Sequence, residues 1–239
     1  CKKMIATLHQ NGIRVVMDVV YNHVYEYQSS VFERVVPNYY FRHRMNGKMA
    51  NTSGCGDDLA SERPMVRKLI VDACRYWIDE YGIDGFRFDL MGIIDVDTLN
   101  EIADYALSKN PSFLLYGEGW NMGGEVKLPL GHMGNAHLLP RFSFFSDRDR
   151  EATKNLFAGD DYSYDGFRNC LMGSCRDFYG NAIFLNASQA LNYIECHDNG
   201  TYFDLVSARH GDMPLMDKLR IVSSATQAVL FSFGIPFIH

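Results

Sequence analysis

"YGIDGFRFDLMG", residues 81–92, is the stretch whose reading decides the fold. Its Phe, Ile and Leu content reads as a buried strand, yet Arg87 and Asp89 stand two apart inside it. Side chains alternate across a strand, which sends Phe86, Phe88 and Leu90 to one face and Arg87 and Asp89 to the other. Two opposite charges then point into whatever that second face encloses.

Six short apolar segments read as strands: 13–20, 83–90, 113–117, 141–145, 191–196 and 235–238. Helical patterns lie between most of them. From Ser61 to Tyr81, Val66, Leu69, Ile70, Ala73 and Trp77 fall on one face, with Ser61 as the expected cap and Gly82 as the stop. From Asp97 to Lys109, with Asp97 as the expected cap, Leu99, Ile102, Ala103 and Ala106 form the inner stripe and Asn110-Pro111 ends it. Alternating strands and helices predict a parallel sheet covered by helices. An open doubly wound sheet and a closed (β/α)8 TIM barrel both satisfy that pattern, but no glycine-rich phosphate loop follows the first strand. The barrel is the expected α/β fold, over one domain spanning residues 1–239. Residues 24–60 are too long for an ordinary connection and are expected to lie over the site as a functional loop or small excursion. Six strands are countable where the barrel takes eight, and residues 1–11 read as the tail of a helix. The expectation is therefore a partial barrel, a piece of a longer chain whose remaining parts are its first partners.

The 239 residues are 47% hydrophobic, enough for a substantial core. The formal net charge of -6, with no long run of like charge, argues against nucleic-acid or membrane partners. No apolar run approaches the length of a membrane span, and "CKKMIATLHQNG" lacks the features of a signal peptide. The six cysteines are spaced too unevenly for a disulfide framework, so free thiols in a reducing, cytoplasmic compartment are expected. Secretion or surface display stays open, because the true N-terminus is expected to lie upstream. Cys170 and Cys175 lack a second close pair or a nearby histidine pair, which argues against zinc.

The strand ends carry the chemistry. "DVVYNH" supplies Asp18 and His23, "GFRFD" Arg87 and Asp89, "YGEGW" Glu118 and Trp120, and "ECHDN" His197 and Asp198. In a parallel barrel such ends share one rim. Singly, each has a bland reading: Arg87–Asp89 as a buried ion pair, His23 as a satisfied strand-end histidine, Glu118 as the cap of a turn. Together, carboxylates, histidines and an arginine suit acetal hydrolysis. A retaining glycosidase needs one ionised carboxylate as nucleophile and another, about 5 Å away, held protonated as the acid. Arg87, on the same strand face, supplies the positive charge that keeps Asp89 ionised. Glu118, close to Tyr116 and Trp120, is expected to be desolvated enough to stay protonated until it donates. Asp198 is left to stabilise the oxocarbenium-like transition state. His23 and His197 would donate to sugar hydroxyls, and Trp120 offers a flat face to a sugar ring.

In order and spacing, "DVVYNH", "GFRFDLMG", "YGEGW" and "YIECHDN" resemble the four signature regions of the α-amylase superfamily, glycoside hydrolase family 13. Within it, "VPNYYFR", "SGCGDDLASERPMVRKLIVDACRYW" and "GEGW" are similar to the type I pullulanase versions. The resemblance implies Asp89 as nucleophile, Glu118 as general acid/base and Asp198 as transition-state stabiliser. It also implies a (β/α)8 catalytic domain of which this chain supplies strands three to eight. The implied activity is hydrolysis of α-1,6-glucosidic branch links in pullulan, starch or glycogen-derived dextrins, with no cofactor required. Cys196, before His197-Asp198, departs from the small residue common at that place. An α-1,4-acting amylase or glucan transferase of the same superfamily is the first alternative, since fold and carboxylates are shared among many activities. A non-catalytic glucan-binding protein is the second, and the presence of all three carboxylates argues against it. Linkage choice is assigned to loop shape and to aromatic platforms such as Trp120, Tyr39 and Tyr40. Asp57 and Asp58 could hold a structural calcium, with a solvated acidic turn as the preferred reading.

Overall fold

The computed structural model describes residues 1–123, 126–176 and 182–239, grouped into two compact units, Cys1–Phe142 and Ser143–His239.

The first unit contains α1 (Lys2–Gln10), β1 (Val16–Val19), β2 (His23–Val24), α2 (Val31–Val35), β3 (Asp57–Asp58), α3 (Pro64–Tyr81), β4 (Gly85–Phe88), α4 (Val96–Lys109) and β5 (Leu114–Gly117). β4 pairs in parallel with β1 on one side and β5 on the other. The register sets Asp18, Arg87 and Tyr116 in one row, and Val19, Phe88 and Gly117 in the next. Phe86 and Phe88 are fully buried, as the alternation predicts. Gly85 is required by close packing: a Cβ there would meet Leu114 at 2.8 Å.

α3 ends as expected, with Gly82 in the left-handed conformation (φ 62°). Its buried face differs from the expected one, comprising Val66, Ile70, Val71, Cys74 and Ile78. The small apolar Cys74 continues the four-residue series that Trp77 was expected to extend. Trp77 instead packs on the Tyr81 ring, 4.5 Å between centroids. Ser61 does not cap this helix. The first helical residue is Pro64, which has no amide hydrogen to satisfy, and the Ser61 hydroxyl accepts from Asp95 N–H at 3.0 Å. That contact corrects the cap of α4 as well. Asp95, not Asp97, precedes the helix, and its carboxylate accepts from Thr98 N–H at 3.0 Å while Arg67 holds it at 2.9 Å. The inner stripe of α4 is buried as predicted.

Residues 24–60 form a small excursion with internal order. β2 and β3 pair antiparallel, bridges join Phe41 to Leu59 and His43 to Met49, and Phe41 is fully buried.

The second unit contains β6 (Ser143–Phe145), α5 (Asp147–Phe157), α6 (Tyr164–Leu171), β7 (Ala190–Asn192), α7 (Tyr202–Arg209), α8 (Leu215–Phe231) and β8 (Ile235–Pro236). β7 lies parallel between β6 and β8. Ile194, Tyr202, Val206, Ala225 and Val229 form a buried cluster with Phe157 and Leu205 against it. The Tyr202 hydroxyl donates to Lys154 O at 2.7 Å, which satisfies the one polar atom of that side chain. Each of the six expected segments contains one of the parallel strands or most of it. The strands are shorter than the apolar runs, because residues such as Tyr193 and Ile194 stay buried after the ladder ends.

Candidate active site

The strand β4 carries Arg87, and the row across β1, β4 and β5 brings it beside Asp18 and Tyr116. Arg87 is 7% exposed. Its Nη1 donates to Asp18 Oδ1 at 2.9 Å and to Asp89 Oδ1 at 3.0 Å, while Nη2 donates to Glu118 Oε1 at 2.5 Å. One planar guanidinium therefore faces three carboxylates, an arrangement that suits its fixed fork of donors. Burial alone would lower its pKa. The bond to Asp18 and the charges of Glu118 and Asp18, with the bond to Asp89, outweigh that and raise it. Burial holds the Tyr116 phenol above its ordinary range, the Asp18 charge acts the same way, and Arg87 opposes both.

Asp89 leaves the sheet just beyond β4, with its N–H still donating to Val19 O at 3.0 Å. The next residue, Leu90, has φ 39°, a left-handed conformation uncommon for a side chain branched like leucine. This turn points Leu90 N–H at Glu118 Oε2, 3.0 Å away. Glu118 is buried, 6% exposed, as expected, but it is not left without donors. Arg87 and Leu90 together hold both its oxygens. Gly92 N–H donates to Glu118 O at 3.0 Å, tying the turn Met91–Ile93 to the end of β5. Trp120 lies against the same turn: a Cβ on Gly92 would come within 2.0 Å of its carbonyl oxygen.

His23 reaches the site through its neighbour. Its Nδ1 is hydrogen-bonded to Asn22 Oδ1, and Asn22 Nδ2 donates to the Asp89 carbonyl and, at 3.4 Å, to Asp89 Oδ2. Asn22 is buried, and its carbonyl accepts from Leu59 N–H at 2.9 Å. Asn22 and Leu90 were not singled out from the sequence. "YNH" contained the first without any charge to mark it, and the second acts through its backbone.

Asp58 corrects an expectation. It is fully buried rather than part of a solvated turn, and accepts from Thr52 N–H at 2.8 Å and the Thr52 hydroxyl at 2.5 Å. Arg42 Nη1 faces it at 3.5 Å, and a guanidinium in that place does not fit a calcium ligand. Asp57 accepts from Tyr27 N–H at 2.9 Å.

His197 and Asp198 belong to the second unit, on the loop between β7 and α7. His197 Nε2 and Asp198 Oδ1 are 3.2 Å apart, and both side chains are more than half exposed. Cys196 lies with them, its thiol donating to Asn199 Oδ1 at 3.4 Å. Two anchors fix the loop: Arg150 Nη1 donates to Asn199 Oδ1 and Tyr193 Oη, both at 3.0 Å, and Glu195 accepts from Tyr202 N–H at 2.5 Å.

The family profile of the alpha amylase catalytic domain matches residues 39–123. The chain is 40% identical over 255 residues to a pullulanase of Bacillus subtilis strain 168, with all of this chain covered and 34% of that protein. Among solved structures it is similar to the type I pullulanase of Bacillus subtilis strain 168 complexed with maltose, with a TM-score of 0.96 at 40% identity. It is similar as well to a pullulanase of Anoxybacillus sp. LM18-11 complexed with maltotriose, with a TM-score of 0.94 at 40% identity. Both structures match all of this chain, which covers 35% of each. The chain thus spans about a third of the length of the relatives it matches.

Proposed function

We propose that this chain, which belongs to the α-amylase catalytic-domain family, is part of a retaining glycoside hydrolase that cuts α-1,6-glucosidic branch links in pullulan, starch or glycogen-derived dextrins. The observation that carries this reading is the single Arg87 guanidinium bound to Asp18, Asp89 and Glu118 at the ends of three neighbouring strands. The α-1,6 preference rests on the pullulanase relatives.

Asp89 is the proposed nucleophile. Its carboxylate attacks the anomeric carbon while Glu118 delivers a proton to the departing glycosidic oxygen, and a covalent glycosyl-enzyme results. Glu118 then takes a proton from the water that releases the sugar. Arg87 and Leu90 N–H hold the two Glu118 oxygens in place for that transfer. Asp198 offers negative charge to the oxocarbenium-like transition state, and His23 and His197 donate to sugar hydroxyls. Trp120 supplies an apolar face for a ring, and Asp18 keeps Arg87 in place. Double displacement through carboxylates needs no cofactor. The six cysteines are free, which favours a reducing compartment for the protein.

The test is stereochemical. Proton NMR of the full-length protein acting on pullulan is expected to detect the α-anomer first, with the β-anomer appearing only by mutarotation. Initial release of the β-anomer would reject Asp89 as a nucleophile.

A further inference from the structure

We infer that Arg42 is a positioning residue for the acid/base Glu118, acting from the excursion of residues 24–60 through the turn that follows the nucleophile. The inference rests on the proposed role of Glu118.

Arg42 is buried, and its guanidinium is divided among three acceptors. Both Nη1 and Nη2 donate to the carbonyl of Ile93 at 3.2 Å. Nη2 also donates to Glu62 Oε2 at 2.8 Å, and Nη1 faces Asp58 Oδ2 at 3.5 Å. The two carboxylates compensate the buried cation, and the position of Asp58 is set by backbone pairing. Arg42 N–H donates to Asp58 O at 2.9 Å, and Asp58 lies opposite His23 in the β2–β3 pair. The charged head is therefore fixed on one side.

On the other side it meets the last residue of the Met91–Ile93 turn. That turn begins at Leu90, whose strained φ of 39° aims its N–H at Glu118 Oε2. Gly92 N–H, in the middle of the turn, holds the backbone of Glu118 itself. A non-glycine residue keeps a left-handed conformation only where its surroundings over-determine it. The paired donation by Arg42 to the turn's final carbonyl supplies such a constraint. Arginine is required rather than lysine, because only a forked, planar head reaches a carbonyl and two carboxylates at once.

The experiment compares Arg42→Lys with the unsubstituted full-length protein, measuring kcat and KM for pullulan across pH. The lysine keeps a positive charge beside Asp58 and Glu62 but releases Ile93 O. As the turn relaxes and Leu90 N–H withdraws from Glu118, kcat is expected to fall about 10- to 100-fold. KM is expected to change little, and the high-pH limb of the kcat profile to move upward, since the Glu118 carboxylate has lost a donor. A lowered melting temperature with kcat and that limb unmoved would overturn the inference and leave Arg42 a purely structural residue. Glu62→Gln, which keeps its acceptor oxygen while removing the charge, serves should Arg42→Lys not fold. It is expected to move the same limb in the same direction by less, and an unmoved limb there overturns the inference equally. Glu118→Gln is assayed in parallel. Retained turnover in that variant overturns the assignment of Glu118 and the inference with it. A dead Glu118→Gln beside an unmoved limb in the positioning variant sinks this inference alone.

Discussion

Arg87 draws its importance from the company it keeps: Asp18, Asp89 and Glu118 share one guanidinium, and Glu118 is as buried as Arg87 itself. Removing one member of a buried ion pair costs about 3–5 kcal/mol, which applies here to Glu118, whereas Asp18, with a side chain 59% exposed, is relieved by water. Arg87→Met is therefore expected to lose nearly all turnover while staying folded, with its urea midpoint lowered. Turnover near the parent value would mean that Arg87 does not organise the carboxylates. A second buried acid, in the second unit, offers a pH test. Burial raises the pKa of Asp149 above 3.8, against the Ser174 hydrogen bonds and the Arg148 charge. A raised folded pKa means the native state binds more protons than the unfolded chain, so stability declines as pH rises from about 3.8 through the folded value. The melting temperature of the parent, relative to Asp149→Asn, should fall across that window. Parallel curves would contradict the assignment. Arg87, Asp89 and Glu118 were legible in the sequence because charges within or directly after apolar strands stand out. Asn22 was not, since an amide between Tyr21 and His23 carries no charge, and its value depends on the fold bringing it to the Asp89 carbonyl.

The helix α4 shows how a cap is decided. Two aspartates, Asp95 and Asp97, stand near its start, and propensity alone favours either. The choice falls to Asp95 because Ser61 binds its N–H and Arg67 its carboxylate, contacts between distant parts of the chain. Asp95→Ala is expected to destabilise the protein by about 0.5–2 kcal/mol through the lost cap, and by more through the lost Arg67 contact. Asp97→Ala, at an exposed side chain, should stay within about 0.5 kcal/mol of the parent. Equal losses at the two positions, measured by urea unfolding, would contradict this reading. The same distinction separates what was legible in α3 from what was not. Its stop at Gly82 is a local property of a residue without a Cβ, whereas its buried face was set by which side of the helix turned inward, and Cys74 displaced Trp77 there.

Among the described residues one theme repeats, apolar parallel strands with charged or polar residues at or just beyond most of their C-terminal ends, three such strands in each unit. That theme was readable because buried parallel strands are near-continuous apolar runs and the chemistry is confined to their ends. The excursion of residues 24–60 was readable only as too long to be a connection. Its order depends on Phe41, Arg42 and Asp58 being buried together, which no periodicity announces. The proposed α-1,6 preference is not fixed by carboxylates that many activities share, so it is tested by products. The full-length protein is incubated separately with pullulan and with amylose, and the products are resolved by length. Maltotriose released from pullulan, with amylose left intact, is the expected result. Shortened amylose beside intact pullulan would keep the carboxylates in their roles and contradict the debranching activity.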